Sequence, residues 1–186
     1  MLTRIEAQKL LEIHCSEKLR FHCREAEVIM KAVAKELNQD EEKWGIAALI
    51  HDLDFEKSEV QSDFSKHAIL IQDLIGKENL PEDTWHAIAS HNGDNNGIMK
   101  KTPFDYALSA SENMGGFIYA VTLIYPDRKV ASVKVKSVTK RLKQAAFARN
   151  VDRQAIYDIE KAGIKLDRFV ELALQALISI APEVGI

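Results

Sequence analysis

Two residue types that bind metals stand side by side at the end of an apolar run. Residues 44–50 are hydrophobic nearly all round a helix, and His51 and Asp52 follow them directly. Imidazole and carboxylate groups are costly to remove from water unless a partner or an ion binds them. The pair therefore predicts a divalent-metal centre at the edge of a core, and this donor set suits Mn, Fe, Mg, Co or Zn.

Further candidate ligands lie on both sides of this pair. Upstream, His22 shares one helix face with Leu19 and Ala26, which also fits a core histidine bonded to a carbonyl. The downstream candidates are His67, His91 and Glu112. Taken together, the set favours a metal-dependent hydrolase, in which a bound ion lowers the pKa of a water molecule.

The length and net charge of the chain indicate the number of domains and argue against some classes of protein. The 186 residues predict one domain, with a metal-binding core over 1–126 and a helical extension over 127–186 packed on it. A net charge of -3 argues against wholesale nucleic-acid binding, and no apolar run is long enough to predict a membrane span. Cys15 and Cys23 are expected to be reduced packing residues in a cytoplasmic protein.

Apolar residues at three- and four-residue spacings predict an all-α fold. In the first half we expect a helix opened by Thr3 and Glu6, then 17–37, a helix from Asp40 to near His51, 64–75, and a helix from Pro81 to before Gly93. In the second half we expect a polar loop over 93–97, a long helix opened by Thr102 and Asp105, and three amphipathic helices, two of them capped by Asp152 and Asp167. Gly115 and Gly116 lie inside the long helix and predict close packing or a kink there.

The chain resembles the HD superfamily of metal-dependent phosphohydrolases, and in particular a bacterial, largely uncharacterised subgroup. The pattern of that superfamily is H…HD…D on a helical bundle. The resemblance rests on residues 19–22 (LRFH), 40–57 (DEEKWGIAALIHDLDFEK), 102–108 (TPFDYAL) and 134–140 (KVKSVTK). It implies an HD-domain-like bundle in which His22 is the first histidine and His51 and Asp52 are the HD pair.

The closing ligand departs from the family pattern. The stretch 109–118 places Glu112 where the family usually has an aspartate. A glutamate keeps the charge but moves the carboxylate by about 1 Å or more, and the geometry of such sites is sensitive on that scale. The resemblance therefore implies a metal held by His22, His51, Asp52 and Glu112, and leaves two outcomes open: turnover, or a degenerate module that binds a ligand.

Other residues near the pattern have proposed roles. His67 and His91 match extra histidines that some HD proteins use for a second metal; alternatively, they form hydrogen bonds near helix ends. Asp54 could orient a water molecule or take its proton, and Lys57 could bind a phosphate oxygen; alternatively, both belong to a solvated turn. His86 is expected at the surface or behind the ligands.

The segment 128–149, here called the basic segment, contains eight basic residues and no acid. It could steer a nucleotide or another small phosphorylated substrate towards the metal, or it could be a solvated helix face. It has few aromatic residues for base stacking, which argues against nucleic acid as a partner. Three hypotheses follow: a phosphohydrolase with a metal-activated water, a degenerate ligand-binding or sensing module, and a scaffold that uses the basic segment.

Overall fold

The computed structural model of the chain describes residues 2–185, and this part of the chain is helical without strands. The prediction of an all-α fold is confirmed. The helices, several of them a single turn long, are α1 (Arg4–His14), α2 (Glu17–Glu36), α3 (Glu41–Ile50), α4 (Ser58–Ser62), α5 (Ile71–Ile75), α6 (Glu82–His91), α7 (Gly93–Asn96), α8 (Pro103–Leu123), α9 (Val135–Leu142), α10 (Arg153–Tyr157) and α11 (Leu166–Val184).

Three of the longer helices have side-chain N-caps at the residues that the sequence predicts. The hydroxyls of Thr3 and Thr102 each accept a hydrogen bond from the backbone three residues on, and Glu6 and Asp105 complete the two capping boxes. The carboxylate of Asp40 accepts two backbone hydrogen bonds at the start of α3. These caps fix where α1, α3 and α8 begin.

The segment 64–75, predicted as one helix, is interrupted at His67 and Ala68. His67 has extended backbone and Ala68 has a φ of +69°, so α5 starts only beyond them. The helix cannot continue because the N–H of Ala68 donates to Oδ1 of Asp54 at 3.1 Å and holds the backbone there. The predicted stop at Gly76 is confirmed, since α5 ends immediately before this residue.

Three smaller expectations differ from the structure. The segment 93–97 is not a plain loop but contains the single turn α7, which is supported by a hydrogen bond from the side chain of Asn96 to a carbonyl of α6. Pro81 is the residue before α6 rather than part of its first turn. Asp152 caps α10 as predicted, whereas Asp167 lies in the first turn of α11, where an acid still faces the positive helix end.

The core forms where α2 packs against α3, α8 and α11, and where α6 packs against α8. All residues of α3 from 44 to 50 are buried, and Trp44 stacks on Phe104 of α8 with ring centroids 4.7 Å apart. A Cβ added at Gly115 of α8 would lie 3.3 Å from that of Glu25 on α2. The close packing predicted at the glycine pair is therefore present, and it sets the distance between α2 and α8.

The last helix is joined to the first half of the chain. Besides its packing, α11 is tied to α2 by an ion pair of 2.8 Å between Arg168 and Glu36. The boundary at residue 126 stays a prediction. Cys15 and Cys23 are buried and free, as expected for packing cysteines. Between residues 2 and 185, no helix has both the length and the apolar character that crossing a bilayer requires.

Candidate metal centre

The structure brings together all the side chains that the sequence analysis proposed as ligands. They come from five parts of the chain: two helix interiors, two helix ends and the turn before α5. The set, here called the cluster, consists of His22 from α2, His51 and Asp52 after α3, His67 from the turn, His91 from the end of α6, and Glu112 from α8.

Asp52 lies at the middle of the cluster. Its Oδ1 is 3.4, 3.3 and 3.5 Å from the Nε2 atoms of His51, His67 and His91. Its Oδ2 is 3.6 Å from Nε2 of His22. One buried carboxylate therefore faces four imidazole rings, and mixed imidazole and carboxylate donors are typical of sites for divalent transition metals.

Hydrogen bonds on the far side of two rings assign their protons. Nδ1 of His51 is 2.7 Å from the carbonyl oxygen of Ala48, and Nδ1 of His91 bonds to the carbonyl oxygen of Ile88. Because a carbonyl oxygen only accepts, each Nδ1 carries a proton and donates it. The Nε2 atoms then present lone pairs to the cluster, which is the arrangement found in histidines that bind metals.

The Nε2 atoms of the cluster also lie close to one another. Nε2 of His67 is 3.0 Å from Nε2 of His91, and Nε2 of His22 is 3.3 Å from that of His51. In the described part of the chain, no lysine or arginine lies within ion-pair distance of Asp52. Four imidazole nitrogens converge on one buried carboxylate, and the residues present therefore fit a divalent ion.

The pKa shifts reflect the same electrostatics. Burial lowers the pKa of His51 to about 3, so this ring is neutral. Burial would also lower the pKa of His67, but hydrogen bonds to Asp52 and Asp54 raise it to about 9. Burial would raise the pKa of Asp52, but the surrounding histidines, His51 first among them, lower it well below its usual range. The cluster thus attracts positive charge, and metal binding would displace a proton.

Glu112 stands at the edge of the cluster. Its Oε2 is 4.0 Å from Nε2 of His22, and its Oε1 accepts a hydrogen bond from the side chain of Asn113. Burial, together with the charges of Asp52 and Asp152, raises the pKa of Glu112 well above its usual range. A cation between Glu112 and His22 would favour the charged carboxylate instead.

Asp54 lies behind His67 rather than facing the rings of the cluster. Its Oδ1 is 2.8 Å from Nδ1 of His67 and accepts the backbone hydrogen bond from Ala68. Its Oδ2 is buried and has no hydrogen-bond partner among the described residues. These contacts orient the ring of His67. A role for Asp54 in orienting a water molecule or taking its proton stays a prediction.

The structure does not bring Lys57 to the cluster. Its Nζ is 2.8 Å from Nδ1 of His14, and the neighbouring Glu56 accepts hydrogen bonds from the backbone and hydroxyl of Ser16. The turn that contains Lys57 is thus fastened to the start of α2 and the end of α1. A role for Lys57 in binding phosphate stays a prediction. His86 lies outside the cluster, with Nδ1 3.1 Å from Oδ2 of Asp105.

Sequence reasoning missed two residues beside the cluster. Lys100 lies close enough to Glu112 for its charge to oppose the rise of that pKa, and it has no ion pair within the described residues. Asn92 donates hydrogen bonds to the carbonyl oxygens of Phe64 and His67, and so supports the turn that carries His67. Neither residue shows a helical or motif spacing, because Asn92 acts through hydrogen bonds to a distant part of the chain and Lys100 through its charge.

The basic segment forms α9 and its flanks. This helix packs against α8 and α11, and Lys140 and Arg141 line a cavity of about 330 Å³ together with Tyr125 and Ser137. Arg141 also lies over the ring of Phe147 at 5.3 Å. Part of the segment is therefore engaged in packing, and its role in steering a substrate stays a prediction.

The structure is an all-α bundle in which histidines and carboxylates from several helices surround one buried carboxylate and could hold a metal ion. Comparison with protein families matches residues 20–143 to the HD domain, and the chain belongs to this family. The matched region contains every residue of the cluster. The family indicates chemistry of the metal-dependent hydrolase type. Searches of curated proteins and of solved structures gave no match.

Proposed function

We propose that the protein is a metal-dependent phosphohydrolase that acts on a phosphomonoester or a nucleotide. The observation that carries this proposal is the position of Asp52, whose carboxylate faces four imidazole nitrogens at 3.3–3.6 Å. In the reaction, the oxygen of water bonds to phosphorus and the ester P–O bond breaks. The ester oxygen leaves with a proton, which gives phosphate and an alcohol.

The residues of the cluster would hold one or two ions. Two overlapping groups of donors support a site for two ions, and within each group the ligand atoms lie within 4.8 Å of one another. One group consists of His22, His51 and Glu112, and the other of His51, Asp52 and His91. When bound, a divalent ion (Mn, Fe, Mg, Co or Zn) supplies Lewis-acid activation of the water and of a phosphoryl oxygen. His67 faces the second group, and Asp54 fixes its ring.

The exposure of the cluster indicates the side from which a substrate enters. The side chain of His22 is 28% exposed and that of Glu112 is 17% exposed, whereas His67 and His91 are nearly covered. Lys100 lines a cavity of about 310 Å³ together with Tyr106 and Asp152, and its positive charge acts on the pKa of Glu112. We therefore assign to Lys100 the binding of a phosphate oxygen as a point charge.

The test combines metal analysis with turnover. Purified protein is supplied with Mn, Mg, Co, Fe or Zn, its bound metal is measured, and phosphate release is followed from 4-nitrophenyl phosphate and a panel of nucleotides. His51→Ala should lose both bound metal and phosphate release. His14→Ala, a matched histidine control outside the cluster, should retain both. A wild-type protein that binds none of the metals would overturn the proposal.

A second candidate is a module that binds metal and ligand without turnover. The specific observation behind it is Glu112, which replaces the aspartate of the family pattern and stands 4.0 Å from His22. For such a module, the same experiment should show stoichiometric binding of metal to the protein and no phosphate release from any substrate. Turnover that is lost in His51→Ala removes this candidate.

A further inference from the structure

A small cavity opens beside the cluster on the side of His22. It has a volume of about 280 Å³ and lies between α2, α8 and the end of α11. His22 is part of both the cavity wall and the cluster. A molecule whose phosphate reached the cluster could therefore place its remaining part in this cavity.

The cavity wall contains a buried carboxylate. Glu25 follows His22 by one helical turn and is only 5% exposed, yet between residues 2 and 185 no cation or hydrogen-bond donor pairs with it. An ionised carboxylate without a partner is costly to bury, and a ligand that donates to Glu25 from the cavity would offset this cost. In contrast, Glu27 on the same helix is paired with Arg4, Arg24 and Lys31.

Apart from His22 and the exposed Lys18, the rest of the wall is apolar or aromatic. Phe21 and Tyr119 are 38% and 40% exposed, which is high for aromatic side chains, and both line the cavity. Aromatic rings bind flat apolar groups by stacking and bind ammonium groups by cation–π attraction. An anionic group among aromatic rings is therefore suited to an organic cation.

The size of the cavity limits the ligand. Its volume of about 280 Å³ lies just below the range of about 300–1,000 Å³ for small-molecule sites. A single ring or a short chain fits this space better than a whole nucleoside. A side chain at Gly116 would extend into open space, because nothing lies within 4 Å of a Cβ added there.

We propose that this cavity binds the organic part of the substrate, and that this part is a small apolar or aromatic amine whose nitrogen donates to Glu25. The inference rests on the proposed function, because it assigns the substrate of the same site: the phosphate ester of an amino alcohol or aminophenol. Glu25 selects the amine, while the cluster acts on the phosphate.

Binding of the amine alone tests the cavity without turnover. Benzylamine and the uncharged benzyl alcohol are titrated into the protein at about pH 8, where Glu25 is ionised, and followed by ligand-observed NMR. Wild type should bind benzylamine about tenfold more tightly than the alcohol, as expected for one charged hydrogen bond. Glu25→Gln should abolish this preference, and Gly116→Leu should weaken both ligands by filling the cavity. Glu17→Gln, which removes an exposed acid of the same helix, is the control and should behave like wild type.

Turnover tests the link to the reaction. Wild type should hydrolyse 4-(aminomethyl)phenyl phosphate with a higher kcat/KM than 4-(hydroxymethyl)phenyl phosphate, and Glu25→Gln should make the two equal. Equal binding of the amine and the alcohol by wild type, or a preference for the amine that survives Glu25→Gln, overturns the inference. Selective binding of benzylamine without hydrolysis of either ester keeps the amine site but overturns its assignment to the substrate, and the turnover of 4-nitrophenyl phosphate and nucleotides then decides the proposed function separately.

Discussion

The carboxylate of Asp54 holds the ring of His67 through a hydrogen bond of 2.8 Å to Nδ1. The same oxygen accepts the backbone N–H of Ala68, so one buried atom fixes both the ring and the backbone that carries it. Partners of this kind set the ring orientation and the basicity of a metal-binding histidine. His67 is therefore positioned by its neighbours before any ligand arrives.

The first prediction is that Asp54→Asn weakens metal binding by about 10–100-fold, since outer partners of metal ligands contribute on that scale. The amide is nearly isosteric but uncharged, so circular dichroism should remain unchanged. Metal titration followed by calorimetry measures the effect. Asp73→Asn, at an exposed site of α5, is the control, and equal affinities of the two variants would contradict the role given to Asp54.

The second prediction concerns the closing ligand. Glu112→Gln should weaken metal binding, because a neutral amide oxygen replaces a charged one at nearly the same volume. Glu112→Asp should retain the metal and raise phosphate release, because it restores the shorter carboxylate of the family pattern. Metal titration and turnover are measured for all three proteins. Three matching affinities would remove Glu112 from the site.

The third prediction compares two lysines. Lys100→Met should raise KM for a phosphate ester several-fold with a smaller effect on kcat, because the charge lies near Glu112 and acts on binding. Lys57→Met should change KM little, since its Nζ contacts His14. Steady-state kinetics at low and high salt distinguish them. A larger effect from Lys57 would restore the role predicted for it from the sequence.

The fourth prediction is a pH dependence of stability. Burial raises the pKa of Glu25 from 4.5 to about 7 in the folded protein, so the folded state binds more protons than the unfolded state between these values. The free energy of unfolding should therefore fall as pH rises from about 4.5 to 7. Glu25→Gln should remove this loss and stabilise the protein at pH above about 7 by up to roughly 3 kcal/mol, with little effect at acidic pH. Urea unfolding across this range measures it, and a constant difference from wild type at every pH would contradict it.

The fifth prediction uses the adjacent glycines of α8. Gly116→Ala should stabilise the protein by about 0.5–1 kcal/mol, because alanine favours a helix and its methyl group meets nothing. Gly115→Ala should lose this gain, since its methyl group would lie 3.3 Å from Cβ of Glu25 and push α2 from α8. Metal affinity should fall only in Gly115→Ala, because His22 and Glu112 are on these two helices. Equal gains in urea unfolding would show that the contact relaxes freely.

Much of the fold follows from local rules. Caps such as Thr102 and the buried run that ends at His51 are determined by neighbours in sequence, and both were predicted. The set of candidate ligands was also predicted from the sequence. That prediction used the HD pair, the helical face of His22 and the resemblance to a family. The break at Ala68 and the contact of Lys57 with His14 could not be predicted, because each depends on a residue more than ten positions away. Glu25 was missed for a different reason: its sequence spacing is that of an ordinary helix, and only the packing of α8 reveals that it is buried.

The backbone at Ala68 has a further consequence. A φ of +69° is left-handed, which costs an alanine about 1 kcal/mol or more, and glycine would adopt it freely. The methyl group of Ala68 is fully buried, so the surrounding core holds this conformation in place. Strained backbone of this kind tends to occur at functional sites. His67 is thus carried by a bend under strain, and this segment should be the first part of the cluster to relax when the bond between Ala68 and Asp54 is lost.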